Sequence, residues 1–189
     1  MASIALDPAY RRVSVEEFLE MDFGGAKAEL EDGIIFMMAG GNEAHARIAA
    51  NLIIALGTRL RGTGCRPYGS DFATRTKERN VRYPDVSIYC GHPSDPANAS
   101  KKLLGDPVAV FEVLSPSTSS HDQIVKLAEY RARAGIADIV FLDPDSERVR
   151  RVSRIRDDDW TDVWVEAGAD LHLPSLDLVV PHADIFARD

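Results

Sequence analysis

The sequence is short of several features that would place it in a class. It contains no apolar run of about 18 residues, so we expect no transmembrane helix. Residues 1–7 lack both a basic stretch and a sustained apolar stretch, so we expect no signal peptide. The two cysteines, Cys65 and Cys90, do not form a close-spaced metal motif. Together these absences predict a cytoplasmic protein whose cysteines are reduced.

Positive charge is also in short supply. The chain carries 22 lysines and arginines against 30 aspartates and glutamates, which gives a formal net charge of −8. Proteins that coat nucleic acid nonspecifically need many contacts between basic side chains and phosphates, so the balance argues against that class. It leaves room for an enzyme with a local basic rim. Basic residues cluster at 75–82 and 148–156, where the alternative is a set of solvated strand faces and loops.

The chain has ample material for a hydrophobic core. Its 189 residues are 45% hydrophobic and 28% charged, as in ordinary globular proteins. We therefore expect one domain over 1–189, with no need of disulfides or structural metals. Helix and strand patterns alternate in the middle, and hairpin patterns lie near both ends. This order predicts an α/β or α+β fold, with a mixed sheet flanked by helices.

Two local signals define the N-terminal half. Asp32-Gly33 separates two apolar stretches and predicts a tight hairpin over 28–39. Apolar residues at helical spacing predict a helix over 43–61 that Asn42 caps. His45 lies on the inward face of this helix. It is either a hydrogen-bonded core histidine or a residue that supports a catalytic site.

The C-terminal half has its own signals. Ser120 and Gln123 fit a capping box, so we expect a helix that starts there and runs to Ala134, with Gly135 as its C-cap. The imperfect alternation over 148–154 predicts an edge strand. Residues 171–180 supply a last pair of short strands.

Two apolar stretches each carry one carboxylate, and these are the residues that most need explaining. Strands are expected at 82–90, with Asp85, and at 107–114, with Glu112. A charged residue in such a strand is costly to bury unless it is paired or binds a metal. Neighbouring strands lie roughly 4.8 Å apart, so carboxylates at matching height can share one cation. Their hard oxygen atoms suit Mg²⁺ or Mn²⁺.

Lys126 lies on the helix that follows, where a long cationic side chain could orient a water molecule or stabilise developing negative charge. Each of the three residues also has a purely structural explanation. Asp85 could bind a neighbouring backbone group, Glu112 could pair with Arg82, and Lys126 could pair on the surface with Asp122 or Glu129.

The full pattern is more specific than any of its parts. Its points, in chain order, are Glu29-Leu30-Glu31-Asp32-Gly33, His45, Pro84-Asp85-Val86, Glu112-Val113-Leu114-Ser115-Pro116-Ser117-Thr118, Asp122, Lys126, Tyr130, Gly135 and Asp143-Pro144. The pattern resembles the Uma family of restriction-endonuclease-like proteins, within the PD-(D/E)XK nuclease superfamily. The resemblance runs over about 13–180, and it implies a restriction endonuclease-like core with extra hairpins at both ends.

The resemblance also implies residue roles. Asp85 and Glu112 would bind the metal, helped by the Val113 carbonyl. The superfamily lysine would fall at position 114, where this chain has Leu114, and the resemblance suggests that Lys126 replaces it from the helix. Glu29 and His45 match family positions too, as residues that support the others.

The expected function is therefore a Mg²⁺- or Mn²⁺-dependent endonuclease that hydrolyses DNA phosphodiester bonds. A homodimer is expected, because two cuts on a duplex are easiest for a symmetric pair of sites. One alternative is a catalytically inactive nuclease-fold protein that acts as a binding or regulatory module. Another is a phosphoesterase that acts on a small nucleotide.

Overall fold

The computed structural model describes residues 11–91, 93–115 and 122–188. Over these residues the strands, in chain order, are β1 Ala28–Glu31, β2 Ile34–Met37, β3 Arg66–Gly69, β4 Thr74–Lys77, β5 Asn80–Arg82, β6 Val86–Tyr89, β7 Ala109–Val113, β8 Asp138–Leu142, β9 Val149–Arg156, β10 Asp159–Val165, β11 Leu171–Leu173 and β12 Leu178–Val180. The α-helices are α1 Val15–Glu20, α2 Glu43–Arg59, α3 Leu127–Arg131 and α4 His182–Phe186, and a π-helical turn, Asp122–Lys126, leads directly into α3. Within those ranges no helix is long and apolar enough to cross a membrane.

The strands form two main sheets. The larger has six strands in the order β10-β9-β8-β7-β6-β3, with β7 and β8 parallel and the other neighbours antiparallel. The smaller has four strands in the order β2-β1-β5-β4, and β11 pairs with β12 alone. The predicted mixed α/β fold is confirmed, including the hairpins near both ends.

Alternation along β7 determines what each face of the larger sheet packs against. Phe111 and Val113 belong to a buried cluster with the apolar stripe of α2. Val110 belongs to a second buried cluster, on the other face, with Tyr130 of α3. Successive side chains in a strand point to opposite faces, so Glu112 leaves β7 on the α3 side.

Several local predictions are confirmed. Asp32 and Gly33 have φ of 48° and 78°, the left-handed backbone that a two-residue hairpin turn requires. Asn42 caps α2, because its side chain accepts a hydrogen bond from the His45 N–H at 3.0 Å. The expected edge strand is wrong, because β9 lies between β8 and β10, and β10 forms that edge of the sheet.

The single strand predicted over 82–90 is also wrong. The chain leaves β5 of the smaller sheet at Arg82 and enters β6 of the larger sheet at Val86. Pro84 lies in the connection and has no N–H to donate to a ladder, so regular pairing stops there. Asp85 consequently lies at the passage between the two sheets, not inside a strand.

The helix that carries Lys126 is shorter than predicted. It ends at Arg131, and Gly135 is not its C-cap. Instead the Gly135 N–H donates to Asp106 Oδ2 at 3.1 Å, and a Cβ on Gly135 would lie 2.4 Å from Asp106 Cβ. Glycine is needed there for this close approach of two loops. The expected N-cap, Ser120, lies outside the described residues.

The prediction of reduced cysteines is wrong for this structure. Cys65 and Cys90 form a disulfide, with their Cα atoms 3.9 Å apart. They lie just beyond the paired residues Arg66 and Tyr89, so the pairing of β3 with β6 brings them together. The cytoplasmic location, which was inferred partly from reduced cysteines, stays a prediction.

Candidate functional site

Glu112 lies at the centre of a buried polar cluster between the two main sheets. The residue is only 3% exposed, and its side chain projects toward α3. The Tyr130 hydroxyl donates to Glu112 Oε1 at 2.6 Å, and Lys126 Nζ donates to Oε2 at 3.2 Å. Burial raises the pKa of Tyr130 well above its usual value, and the charges of Glu112 and Glu29 raise it further, so Tyr130 remains a phenol and a donor. Both oxygens of the Glu112 carboxylate are therefore held in place by α3 and the turn before it.

Lys126 points inward, as the family resemblance requires. The residue is 6% exposed, and its Nζ lies 3.3 Å from Glu29 Oε1 as well as 3.2 Å from Glu112 Oε2. It closes the π-helical turn before α3, and such turns occur frequently at functional sites. The lysine thus joins a carboxylate of the smaller sheet to one of the larger sheet.

Arg82 organises the other side of the cluster. It is 1% exposed and donates to Glu29 Oε2 at 3.2 Å, to Glu31 Oε2 at 2.8 Å and to Glu129 Oε2 at 2.9 Å. Burial alone would lower the pKa of Arg82, but the hydrogen bonds with Glu129 and the charges of Glu29 and Glu129 outweigh it and raise the pKa. The guanidinium stays charged, and it does not pair with Glu112 as one alternative proposed.

Glu129 ties α3 to the smaller sheet. Its carboxylate accepts from Thr76 Oγ1 and from Asn80 Nδ2, each at 2.7 Å, in addition to Arg82. Burial alone would raise the pKa of Glu129, but the hydrogen bond and charge of Arg82 lower it overall. The sequence suggested Glu129 only as a possible surface partner for Lys126. Its position three residues after Lys126 on one helix, beside Tyr130, was the signal that it also faces inward.

Asp85 and His45 form a second contact beside this cluster. Asp85 Oδ2 accepts from the Val113 N–H at 2.7 Å and lies 3.2 Å from His45 Nε2. Gly41 leaves room for the imidazole, since a Cβ there would lie 2.6 Å from His45 Nδ1. Asp85 is therefore contacted by the backbone of β7 and by the first turn of α2, at the passage between the two sheets.

The register of β6 with β7 brings the two candidate metal carboxylates to the same end of that strand pair. Val86 is opposite Phe111, so Asp85 and Glu112 each lie one residue further along the pair, in the same direction. The backbone contact that one alternative foresaw for Asp85 is present, through the Val113 N–H. The prediction of one shared cation requires the two carboxylates to lie at matching height, and this register places them so.

Asp85 and Glu112 are the two carboxylates that the predicted divalent ion would use. Among the described residues no group of three or more histidine, cysteine, aspartate and glutamate side chains could enclose a metal. Mg²⁺ usually needs only one or two carboxylates and takes its other ligands from water and phosphate. Asp85 and Glu112 supply that number of carboxylates.

A cavity lies elsewhere in the molecule. It has a volume of about 750 Å³ and runs along the second half of α2, past Gly62 and Cys65, to the loop at Pro93. None of the candidate site residues lines it. It holds no group of carboxylates with a lysine, so the chemistry of the polar cluster does not extend to it.

Comparison with known proteins agrees with the sequence pattern. A family model described as "Uma2: Putative restriction endonuclease" matches residues 15–182. The uncharacterized protein slr1290 of Synechocystis is 30% identical over 172 residues, which are 89% of this chain and 88% of that protein. A second uncharacterized Synechocystis protein, sll1609, is 27% identical over 135 residues, or 71% of this chain and 76% of that one.

One solved structure has the same fold. It is a crystal structure from Anabaena variabilis described as "a putative nuclease belonging to DUF820". It superposes with a TM-score of 0.74 at 18% identity, and the match covers 93% of this chain and 98% of the other. At that identity the likeness concerns the fold alone.

Proposed function

Since the chain belongs to the Uma2 family, whose model matches residues 15–182, we propose that it is a divalent-metal-dependent endonuclease that hydrolyses phosphodiester bonds in DNA. The family description and the shared fold support a nuclease, a hydrolase that acts on nucleic acid. The metal, the choice of DNA and the residue roles are our proposal. A homodimer is part of it, because a symmetric pair of sites suits the two strands of a duplex.

One observation carries the proposal. Asp85, one residue before β6, and Glu112, in the adjacent strand β7, lie at the same end of that strand pair, and buried Lys126 contacts Glu112 at 3.2 Å. Asp85 and Glu112 would hold Mg²⁺ or Mn²⁺, with the Val113 carbonyl as a third oxygen donor. The ion would supply Lewis acidity toward a phosphoryl oxygen and a bound water.

In this proposal the other residues stabilise charge or keep the reacting groups in position. Lys126 would orient the attacking water or stabilise negative charge that develops on the phosphate. Glu29 and Tyr130 keep the lysine and Glu112 in position through the contacts at 3.3 and 2.6 Å. His45 fixes the orientation of Asp85 from α2.

A second candidate is a nuclease-fold protein that binds nucleic acid or another partner without cleaving it. The observation that favours it is the engagement of Glu112, whose two oxygens already accept from Tyr130 and Lys126. A metal ion must share or displace these contacts. The two functions differ in one measurable respect, which is metal-dependent cleavage.

The test is cleavage of supercoiled plasmid with Mg²⁺ or Mn²⁺. We expect Asp85→Asn, Glu112→Gln and Lys126→Met each to lower the rate by about 100-fold or more, because each removes a group that acts on the reacting phosphate. Asp158→Asn, an exposed carboxylate in the β9–β10 turn, is the matched control and should cleave at the normal rate. Circular dichroism must show that every variant is folded.

Equal cleavage by Glu112→Gln and the unmodified protein would refute the proposed site. Absence of cleavage by the unmodified protein on plasmid, linear duplex and single strands would favour the binding module. Light scattering on the same preparation should give the mass of two chains, and a single-chain mass would remove the dimer from the proposal.

A further inference from the structure

Two adjacent cavities form one recess beyond the C-terminal end of α2. The first, of about 750 Å³, follows the second half of α2 and is lined past the helix end by Arg61 and Arg66. The second, of about 480 Å³, is lined by Tyr68 and Phe72 among others. Arg66 and residues 93–95 line both cavities, so the two share a wall. We call this pair of cavities the distal recess.

The distal recess is remote from the candidate site. The first turn of α2 carries His45, which lies 3.2 Å from Asp85, whereas the recess begins in the second half of the helix. Helix α2 has 17 residues, so its two ends are about 25 Å apart. A small ligand in the recess would therefore not contact the proposed metal carboxylates.

The recess carries positive charge that the protein does not neutralise. Arg61 and Arg66 are exposed, and within the described chain neither guanidinium makes a hydrogen bond or an ion pair. Of the described residues that line the two cavities, Asp95 supplies the one carboxylate, and its Oδ1 accepts from the Ala97 N–H at 2.8 Å. Lys101 adds a third cation in the second cavity. In a protein of net charge −8, this local excess of cations favours an anionic ligand.

The second cavity supplies an aromatic wall. Tyr68 and Phe72 stack with their ring centroids 4.9 Å apart. Tyr89 meets the two rings edge-on, at 5.8 and 5.3 Å, and fixes them from behind. Fixed aromatic rings favour contact with another flat ring, either offset-stacked or edge-on. A ligand that reaches from the arginines into this cavity should therefore carry a flat ring as well as an anion.

Links within the protein hold the recess in shape. The disulfide between Cys65 and Cys90 joins β3 to β6 directly beside Arg66. On the opposite wall, Asn98 Nδ2 donates to the Pro93 carbonyl at 3.2 Å and fixes the loop that both cavities share. Sites for small molecules are usually preformed in this way, with volumes of about 300–1,000 Å³.

We propose that the distal recess binds a nucleoside phosphate, with its phosphate between Arg61 and Arg66 and its base in the second cavity against Phe72. Guanidinium groups bind phosphate oxygens through paired hydrogen bonds. A bare anion would leave the aromatic wall uncovered, and an uncharged ring would leave both guanidiniums without a partner. The inference goes beyond the proposed endonuclease activity and does not depend on it, because none of the proposed metal ligands lines the recess.

The test is calorimetric titration of the full chain with ADP, with ribose 5-phosphate and with inorganic phosphate. EDTA is present throughout, so that the candidate metal carboxylates hold no ion. We expect saturable ADP binding at one site per chain. The two phosphates without a base should bind about 5-fold more weakly or worse, because neither can stack on an aromatic ring.

Substitutions locate the bound nucleotide. Arg61→Gln and Arg66→Gln should each weaken ADP binding by about 10- to 150-fold, the range for loss of a hydrogen bond to a charged group. Phe72→Leu should weaken ADP binding by about 5- to 150-fold and leave the affinity for ribose 5-phosphate unchanged, while Phe72→Tyr should retain both. Circular dichroism must show that each variant is folded.

Arg79→Gln is the matched control. Arg79 is an exposed arginine that lines neither cavity, and its replacement removes the same charge as the two arginine variants. Its affinity for ADP should equal that of the unmodified protein.

The outcomes are separate from those of the plasmid assay. No saturable ADP binding by the unmodified protein would overturn the inference and leave the proposed endonuclease untouched. Equal ADP affinities for Arg61→Gln, Arg66→Gln and the control would place the nucleotide elsewhere. Inorganic phosphate that binds as tightly as ADP would make the recess a simple anion site. Binding of a single-stranded oligonucleotide that both variants abolish, without any binding of ADP, would assign the recess to a nucleic-acid strand and likewise overturn the inference.

Discussion

At the scale of single residues, the candidate site depends on buried charges that satisfy one another. Arg82 pairs with two carboxylates of β1 and one of α3. Lys126 pairs with Glu29 of β1 and with Glu112 of β7. Such groups are stable in the interior only when every partner is present, because removal of one leaves another charge buried and uncompensated. These contacts therefore fix the geometry around Glu112 more firmly than surface ion pairs could.

Glu129 provides a test of this view, since its carboxylate binds Arg82 without contacting the proposed metal ligands. Glu129→Ala is expected to lower the free energy of unfolding by about 3–5 kcal/mol, because it leaves Arg82 partly unpaired in the interior. Urea denaturation at pH 7 measures this change. Glu43→Ala, at the exposed start of α2, is the control and should change stability by less than about 1 kcal/mol.

The same carboxylate makes a pH prediction. Its pKa is lowered in the folded protein, so its contribution to stability is complete above the ordinary glutamate pKa of about 4.3 and disappears as pH falls through the lower folded-state value. Between pH 6 and pH 3 the unmodified protein should therefore lose more unfolding free energy than Glu129→Gln, which cannot titrate there. Parallel losses in the two proteins would show that Glu129 is not a source of the acid sensitivity.

At the scale of elements, the site is assembled from short pieces that hold one another. Helix α3 spans only Leu127–Arg131, far below the length at which a helix is stable alone. Tyr130 attaches it to β7 through Glu112, and Glu129 attaches it to β4 and β5. The position of Lys126 is therefore a product of packing between the two sheets, with little contribution from helix propensity.

The turn of the β1–β2 hairpin requires glycine at position 33. Gly33 has φ of 78°, and a Cβ there would lie 2.9 Å from Arg12 Cβ. Gly33→Ala should cost about 1–2 kcal/mol from backbone conformation alone, with an added cost for the contact. Because the hairpin carries Glu29, which contacts Lys126 at 3.3 Å, metal-dependent cleavage should weaken as well.

Thermal denaturation and the plasmid cleavage assay measure the two effects. Gly105→Ala is the control, because that glycine has no positive φ and a Cβ added there would meet no atom within 4 Å. An unfolding free energy for Gly33→Ala equal to that of the unmodified protein would mean that the turn does not need glycine.

At the scale of the whole molecule, charge determines how a nucleic acid can approach. The net charge is −8, and the candidate site brings Asp85, Glu112 and Glu29 toward one region. A phosphate can approach these carboxylates only if cations neutralise part of their charge. A divalent ion should therefore raise the affinity for DNA, whereas ions that only screen phosphates lower it.

This expectation can be checked by anisotropy titrations in EDTA and in Ca²⁺ at constant ionic strength. The unmodified protein should bind an oligonucleotide at least about tenfold more tightly with Ca²⁺. We take this factor from the loss of metal affinity or activity, about tenfold or more, that follows when the residues supporting a metal site are changed. The double variant Asp85→Asn, Glu112→Gln should lose the difference. Equal affinities in EDTA and Ca²⁺ for the unmodified protein would contradict a role for these carboxylates in holding a cation.

The sequence by itself determined the features that depend on neighbouring residues. The Asp32-Gly33 turn, the Asn42 cap and the apolar stripe of α2 follow from local backbone and periodicity rules, and all are present. The mixed α/β fold followed from the order of helix and strand patterns and from the family resemblance, and it is confirmed. The metal-binding and catalytic roles of Asp85, Glu112 and Lys126 stay predictions.

Only the tertiary structure decided which distant residues meet. The Arg82–Glu129 pair is 47 residues apart in sequence, Cys65 and Cys90 are 25 apart, and His45 meets Asp85 from a different element. The pairing of strands from two sheets creates these contacts, and a local pattern has the same period whichever partner the strand finds. For that reason the sequence identifies Arg82 and Glu129 only as charged residues. The packing of α3 between the sheets is what buries them together.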